Sequence, residues 1–305
     1  MNKIQARLNE HEWLSIVPAG GLGTRLKKLT ETRAKPSLAV TYDDQGNVVR
    51  MIDIPLRAIR ETGGAAMVSR CFARETLDFV ERYDHVVTVT SCRDDSPIDT
   101  LLSHLPLIDN STAEHVGLIP GDTNISGETL QEMRRVLDKS GADAVLLATR
   151  YLPGHNIRSI DRNGMLCRED EEAERIGDLG VHIFRREWLQ ARLHECLRRG
   201  TDDSKEVWND IYDVMDPKGR VYLHVPEQDL IDVDMGTPEL FRRILMEFNR
   251  SRRDPLGNII FPGASIHPAS SECIALPGSR SNTPLHQAII PEGLVARTPD
   301  DYLTV

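Results

Sequence analysis

Residues 16–40 read IVPAGGLGTRLKKLTETRAKPSLAV, and the organisation of the rest of the chain follows from them. The apolar run Trp13-Leu14-Ser15-Ile16-Val17 leading into the stretch predicts a buried strand. Gly20, Gly21 and Gly23 then predict a turn in which the missing Cβ atoms let the backbone approach a ligand closely. Successive N–H groups in such a turn make a concave anion site. Thr24 and Arg25 follow, and Arg33-Ala34-Lys35-Pro36 adds a second basic element. Pro36 biases Lys35 toward extended backbone and keeps it out of a helix. The stretch predicts a cradle for a nucleoside triphosphate, with Gly20, Gly21, Gly23 and Thr24 at the nucleotide and fixed charge on Arg25 and Lys35. A tight turn with solvated charges is the plainer alternative. A glycine cluster alone would leave that alternative in front; Thr-Arg and a distal Lys-Pro in the same stretch favour the phosphate.

Two better-known phosphate motifs are excluded. The P-loop requires Gly-Lys-Ser/Thr after its second glycine, and the stretch has none. The dinucleotide fingerprint requires a third glycine three residues beyond the second, where Leu26 stands.

The 305 residues suffice for one large α/β domain with an appendage. No apolar run approaches the ~18 residues that a membrane helix needs, so no membrane partner is expected. The N-terminal MNKIQARLNEHEW is polar and lacks an apolar signal core, which makes the cytoplasm the expected location. A net charge of −10 argues against nucleic acid as the main partner, and a phosphorylated ligand would need a local basic patch such as residues 25–35. The five cysteines are widely spaced without a CxxC pair, which predicts reduced thiols. The ten histidines form no zinc-binding pattern.

Downstream, apolar runs alternate with helical stripes. Asp53 is expected to cap a helix ended by Gly63-Gly64. Residues 65–68, 85–90, 116–119 and 144–148 read as strands. Residues 73–83 read as a helix; a second carries Ile98, Leu101 and Leu105, and a third, capped by Ser126, carries Leu130, Met133 and Leu137. Residues 157–184 read as strand, Asn163-Gly164 turn, acidic loop and strand. Helices are expected over 187–199, 206–215 and 238–249, with strands at 221–225 and 230–233. This alternation predicts a mostly parallel sheet with helices on both faces. Beyond residue 250 the chain turns rich in Gly, Pro and Ser, with isolated β-branched residues at spacings of five and six. Such an imperfect hexapeptide rhythm suits a parallel β-helix, or an irregular wrap.

Asp122 ends a strand in LIPGD, and Asp234 lies between strand and helix in DVDMGTPEL. Carboxylates at the C-terminal ends of strands point into the crevice where open α/β sheets bind ligands. Two of them can share Mg²⁺, which favours hard oxygen ligands.

GGLGTRL followed by RAKP resembles the signature of the sugar-1-phosphate nucleotidyltransferases. The run LTETRAKPSLAV…VVRMIDIPLRAIRETGG is most similar to the bacterial ADP-glucose pyrophosphorylases (glucose-1-phosphate adenylyltransferases). The likeness covers residues 13–64 and recurs in patches to about residue 245. LIPGD and DMGTPEL resemble the family's metal-binding segments, and Gly180 in GDLGVHIF matches its sugar-loop glycine. The resemblance implies a Rossmann-like nucleotidyltransferase sheet over residues 1–250, a short β-helix-like segment over 251–305, and a homo-oligomer. It implies Mg²⁺ on Asp122 and Asp234, pyrophosphate on Arg25, the reacting phosphates on Lys35 and the sugar phosphate near Gly180. It leaves Arg33 open between a helper at the phosphates and a surface residue. The implied partners are a nucleoside triphosphate and a sugar 1-phosphate.

Three departures fall on the base and acceptor sides. Asp95-Ser96-Pro97-Ile98-Asp99 replaces the family's Gly-Thr-Ala, LCREDEEAER lacks its Glu-Lys-Pro lysine, and Arg57-Ala58 replaces a Ser-Asn pair. They point to a changed acceptor, an unusual sugar or a cyclitol phosphate. The alternative from another class is a catalytically silent relative that binds nucleotide or sugar phosphate and regulates a partner.

Overall fold

In the computed structural model, which describes residues 3–19, 24–31, 33–70, 80–90, 97–150, 156–161, 163–167, 173–199, 220–226 and 235–304, the sheet builds outward from one strand. After α1 (Lys3–Leu8) comes that strand, β1 (Trp13–Pro18), with residues 13–17 all buried. Burial on both faces is what a central strand of a covered sheet requires. Two 3₁₀ turns, Thr24–Thr30 and Lys35–Ser37, lead into the hairpin β2 (Ala39–Tyr42) and β3 (Val48–Arg50). Next come α2 (Asp53–Glu61), β4 (Ala65–Arg70), β5 (Val86–Thr90), α3 (Pro97–Asp109) and β6 (His115–Leu118). They are followed by α4 (Gly127–Ser140), β7 (Ala144–Thr149), the pair β8 (Asn156–Ile160) and β9 (Glu174–Arg185), α5 (Arg186–Arg199), β10 (Val221–His224) and α6 (Pro238–Phe248).

The described strands of the main sheet run in the order β10-β7-β9-β6-β1-β4-β5, with β8 beside β9. β1 is parallel to β4 and β6, β4 to β5, and β10 to β7. β9 alone runs against both its sheet neighbours β6 and β7, and it pairs antiparallel with β8. The sheet is therefore mixed and mostly parallel, as the alternation of elements predicts. From β1 the chain adds β4 and β5 on one side, then returns to lay β6 on the other. In open α/β sheets such a reversal is where ligands bind, here beyond the carboxyl ends of β1 and β6.

Alternation along β1 supplies both cores. Leu14 and Ile16 face one core with Leu101, Leu105, Leu189 and Leu193 of α3 and α5. Trp13 and Val17 face the other with Leu56, Ile59, Leu130, Met133 and Leu137 of α2 and α4. Space for the Trp13 indole comes from Gly64, where a Cβ would lie 2.5 Å from the ring. α4 begins as expected, with the Thr129 N–H donating to Ser126 Oγ at 3.1 Å, and stops at Gly141. No helix among the described residues is long and apolar enough to cross a membrane.

Several expectations change. Asp53 does not cap α2: it is the first helical residue, and its buried carboxylate instead accepts from Arg50 N–H, Arg82 and the Tyr83 hydroxyl. Of the helix expected over 73–83, residues 73–79 lie outside the described residues, and 80–82 form a 3₁₀ turn. The elements expected at 206–215 and 230–233 also lie outside them.

The tail repeats every fifteen residues rather than every six. Two- and three-residue strands stack in parallel: β11 (Ile259–Ile260), β12 (Ile274–Ala275) and β14 (Ala288–Ile290) in one line, β13 (Arg280–Ser281) and β15 (Val295–Ala296) in a second. β16 (Leu303–Thr304) closes the first line antiparallel to β14. One corner recurs with positive φ at Gly263, Gly278 and Gly293, another at Gly257, Glu272 and Gln287. Ile259, Ile274 and Ile289 share a third core with Leu26, Leu29, Leu38 and Met51, and with Phe241 and Leu245 of α6. The tail thus buries its apolar line against the elements that carry Arg25 and Lys35.

Candidate functional site

The candidate site draws on three loops. The first leaves β6. Backbone bonds from Ile119 N–H to Ile16 O (3.0 Å) and Gly121 N–H to Pro18 O (2.9 Å) hold this loop against the end of β1. Asp122 therefore emerges beside the carboxyl end of β1. A side chain at Gly121 would be crowded, since a Cβ would lie 3.0 Å from the Pro18 carbonyl oxygen.

The second loop carries Lys35. Pro36 stands inside the 3₁₀ turn and Ala34 is extended before it. Lys35, expected to be extended ahead of the proline, instead opens the turn, closed by Leu38 N–H donating to Lys35 O at 3.1 Å. Ser37 N–H donates to Ala34 O at 2.9 Å, and Ile52 N–H donates to Pro36 O at 3.0 Å. So fixed, Lys35 points inward, and its Nζ forms an ion pair with Asp122 Oδ2. The lysine side chain is only 7% exposed and the aspartate 26%. Eighty-seven positions of sequence separate these two charges, and strand order brings them together.

The third loop is a bulge in β9. The β7–β9 register shifts between Leu146 and Ala148, and Gly180 adopts φ +75° there. Only a residue without a Cβ takes that conformation freely. Gly180 comes beside Pro120, to within 3.8 Å of the ring for a Cβ built on it. The bulge is pinned by buried Asp178, which accepts from Gly180 N–H at 2.8 Å and His182 Nε2 at 3.0 Å and faces Arg158 Nε at 3.5 Å. Burial pushes the Asp178 carboxyl up, but His182, the Gly180 amide and Arg158 outweigh it and hold it below its ordinary value.

Lys35, Asp122 and Gly180 thus converge at the reversal of strand order. Thr24 and Arg25 are exposed and open the 24–30 turn, which lies beside the Lys35–Ser37 turn and buries Leu26 and Leu29 with Leu38. Gly20, Gly21, Gly23 and Asp234 lie outside the described residues. Arg33 is paired with Glu292 of the tail at 3.2 Å.

Asp122 offers the hard oxygen donor that Mg²⁺ favours and is partly exposed, though its Oδ2 is paired with Lys35 in this structure. Among the described residues no group of three or more His, Cys, Asp and Glu side chains is arranged to hold a metal, and a site on Asp122 and Asp234 would use only two.

Asp178 and Glu292 were missed from sequence. Asp178 sits two residues before the singled-out Gly180, but nothing local marks it as buried. Glu292 looks like an ordinary turn residue in PEGL. No protein-family model matches the chain.

Proposed function

We propose that the protein is a Mg²⁺-dependent sugar-1-phosphate nucleotidyltransferase, most like glucose-1-phosphate adenylyltransferase. It would join a nucleoside triphosphate, ATP in the favoured reading, to a sugar or cyclitol 1-phosphate, giving an NDP-sugar and pyrophosphate. The observation that carries this reading is the buried Lys35 held against Asp122 at the strand-order reversal, with the Gly180 bulge as the facing wall. The sheet is then of the Rossmann-like nucleotidyltransferase kind, and the fifteen-residue stack is a short β-helix.

The reaction needs no acid–base dyad. An oxygen of the sugar phosphate, already anionic, attacks the α-phosphorus; the bond to the β-phosphate oxygen breaks and its electron pair leaves with pyrophosphate. The barrier lies in bringing anions together in line, so catalysis is positioning and electrostatics. Lys35 would hold the reacting phosphates, Arg25 the departing pyrophosphate, and the glycine turn the triphosphate backbone. Asp122, with Asp234, would hold Mg²⁺, which neutralises phosphate charge and orients the reactants when bound. Gly180, at the bulge beside Pro120, would lie near the sugar phosphate.

The test is pyrophosphate release from a panel of ATP, dTTP, UTP and GTP crossed with sugar and cyclitol 1-phosphates in Mg²⁺. Turnover with any pair supports the proposal. Silence over the whole panel ends it, and nucleotide binding by calorimetry without turnover would identify a regulatory binder instead.

A further inference from the structure

Glu292 lies in the tail turn Pro291–Leu294, where Gly293 has φ +76° and Leu294 N–H returns to Pro291 O at 3.2 Å. Its side chain is 11% exposed and meets two guanidinium groups. Arg33 Nη2 lies 3.2 Å from Oε1, and Arg50 donates through Nη1 to Oε2 at 3.0 Å and through Nη2 to Oε1 at 3.2 Å. Arg50 Nη1 also donates to the Ser37 carbonyl. One carboxylate is therefore tied directly to residue 33 and, through Arg50, to residue 37, two positions to either side of Lys35.

We infer that Glu292 is a positioning residue for Lys35, so that the tail completes the frame of the crevice. The Arg50 fork is two-pronged, which fixes direction as well as distance. The carboxylate also separates two like charges that would otherwise repel across the Lys35 turn. The tail can transmit this constraint because its isoleucine line shares a core with Leu38 and Met51, on either side of the same hairpin. The catalytic part of this assignment rests on the nucleotidyl-transfer reading; the structural part does not.

The experiment uses the full chain with Glu292→Gln, which removes the charge at constant size, and Glu292→Asp, which keeps it. Hydrogen exchange over residues 33–40 is expected to rise about tenfold or more in Glu292→Gln, with residues 13–18 unchanged and Glu292→Asp close to the native protein. Turnover is expected to fall about tenfold to a hundredfold in Glu292→Gln, mostly in kcat, because small displacements of a reacting group are that damaging. The aspartate variant recovers most of it. Native protection over 33–40 in Glu292→Gln overturns the assignment, as does equal loss of activity in both variants. If the native protein releases no pyrophosphate, the function proposal fails alone and the exchange result still decides this one.

Discussion

The ion pair between Lys35 and Asp122 can be tested by a double-mutant cycle on stability, independent of any substrate. Asp122→Asn leaves a lysine ammonium that is 7% exposed facing a neutral amide. Breaking a fully buried pair costs about 3–5 kcal/mol. Asp122 is 26% exposed, so water and the amide oxygen restore part of this, and a loss of about 2 kcal/mol is expected. Lys35→Met keeps the apolar stem and leaves a carboxylate that water reaches, for a loss of about 1 kcal/mol. The double variant removes both charges and leaves no unpaired ion, with the partly exposed amide still hydrated, so its stability is expected within about 1 kcal/mol of native. The coupling is then about 2 kcal/mol. For 305 residues the unfolding entropy is roughly 0.6 kcal/mol/K, so Asp122→Asn lowers Tm by roughly 3 °C. Urea unfolding followed by circular dichroism measures all four corners, with calorimetry as the check. Losses that add to within about 0.5 kcal/mol would refute the pairing. In the panel assay each single variant should lose about 10² or more in turnover, the scale of one preorganised electrostatic contact. Near-native turnover would remove that residue from the site.

Three further outcomes are expected. Burial holds the His85 and His115 rings below the ordinary histidine range; Asp84 raises the first and Arg60 lowers it, while Asp138 and Glu114 raise the second and Arg134 and Arg185 lower it. The unfolded chain takes up these protons near pH 6.5 and the native state does not, so stability is full above about 6.5 and declines below it by up to about 1.4 kcal/mol per pH unit per histidine; a Tm flat from pH 7.5 to 5.5 would contradict this. Asp178→Asn should cost about 3 kcal/mol at pH 7, by leaving His182, Arg158 and the Gly180 amide without their anion. Because the native Asp178 pKa is depressed, that difference should shrink as pH falls below about 3.9 and through the lowered native value, read by unfolding at graded acid pH. Gly121→Ala puts a Cβ 3.0 Å from Pro18 O and 3.4 Å from Ile52, so β1 and the β6 loop must part by a few tenths of an ångström; a loss of about 1 kcal/mol in stability and about tenfold in turnover is expected, the second readable by pyrophosphate release.

The legible part of this molecule is the part whose cause is local. Ser126 before a helical stripe and Gly63-Gly64 after one act through their own neighbours and take the conformations their chemistry predicts, whereas Lys35 enters a 3₁₀ turn despite Pro36. The fifteen-residue repeat was equally visible, in Pro-Gly at 262–263 and 277–278 and Gly293 after them, but a six-residue ruler passed over it. Asp53 misled for the opposite reason. Next to a helix start a carboxylate looks like a cap, yet Arg82 and Tyr83, thirty positions on, compete for it and win.

Sequence alone determined the layers, because alternation of apolar residues at periods of 2 and 3.6 says which face must leave water, whatever the partner. It also put Asp122 in the loop that follows a strand, where β6 ends at Leu118. Only the tertiary structure decided which strand ends meet. Lys35 faces Asp122 because β6 returns to the far side of β1, and Glu292 reaches Arg33 and Arg50 because the tail's isoleucine line closes the same core. Burial is written into each residue's own periodicity; the pairing of distant charges depends on strand order, to which every element contributes and which no single stretch encodes.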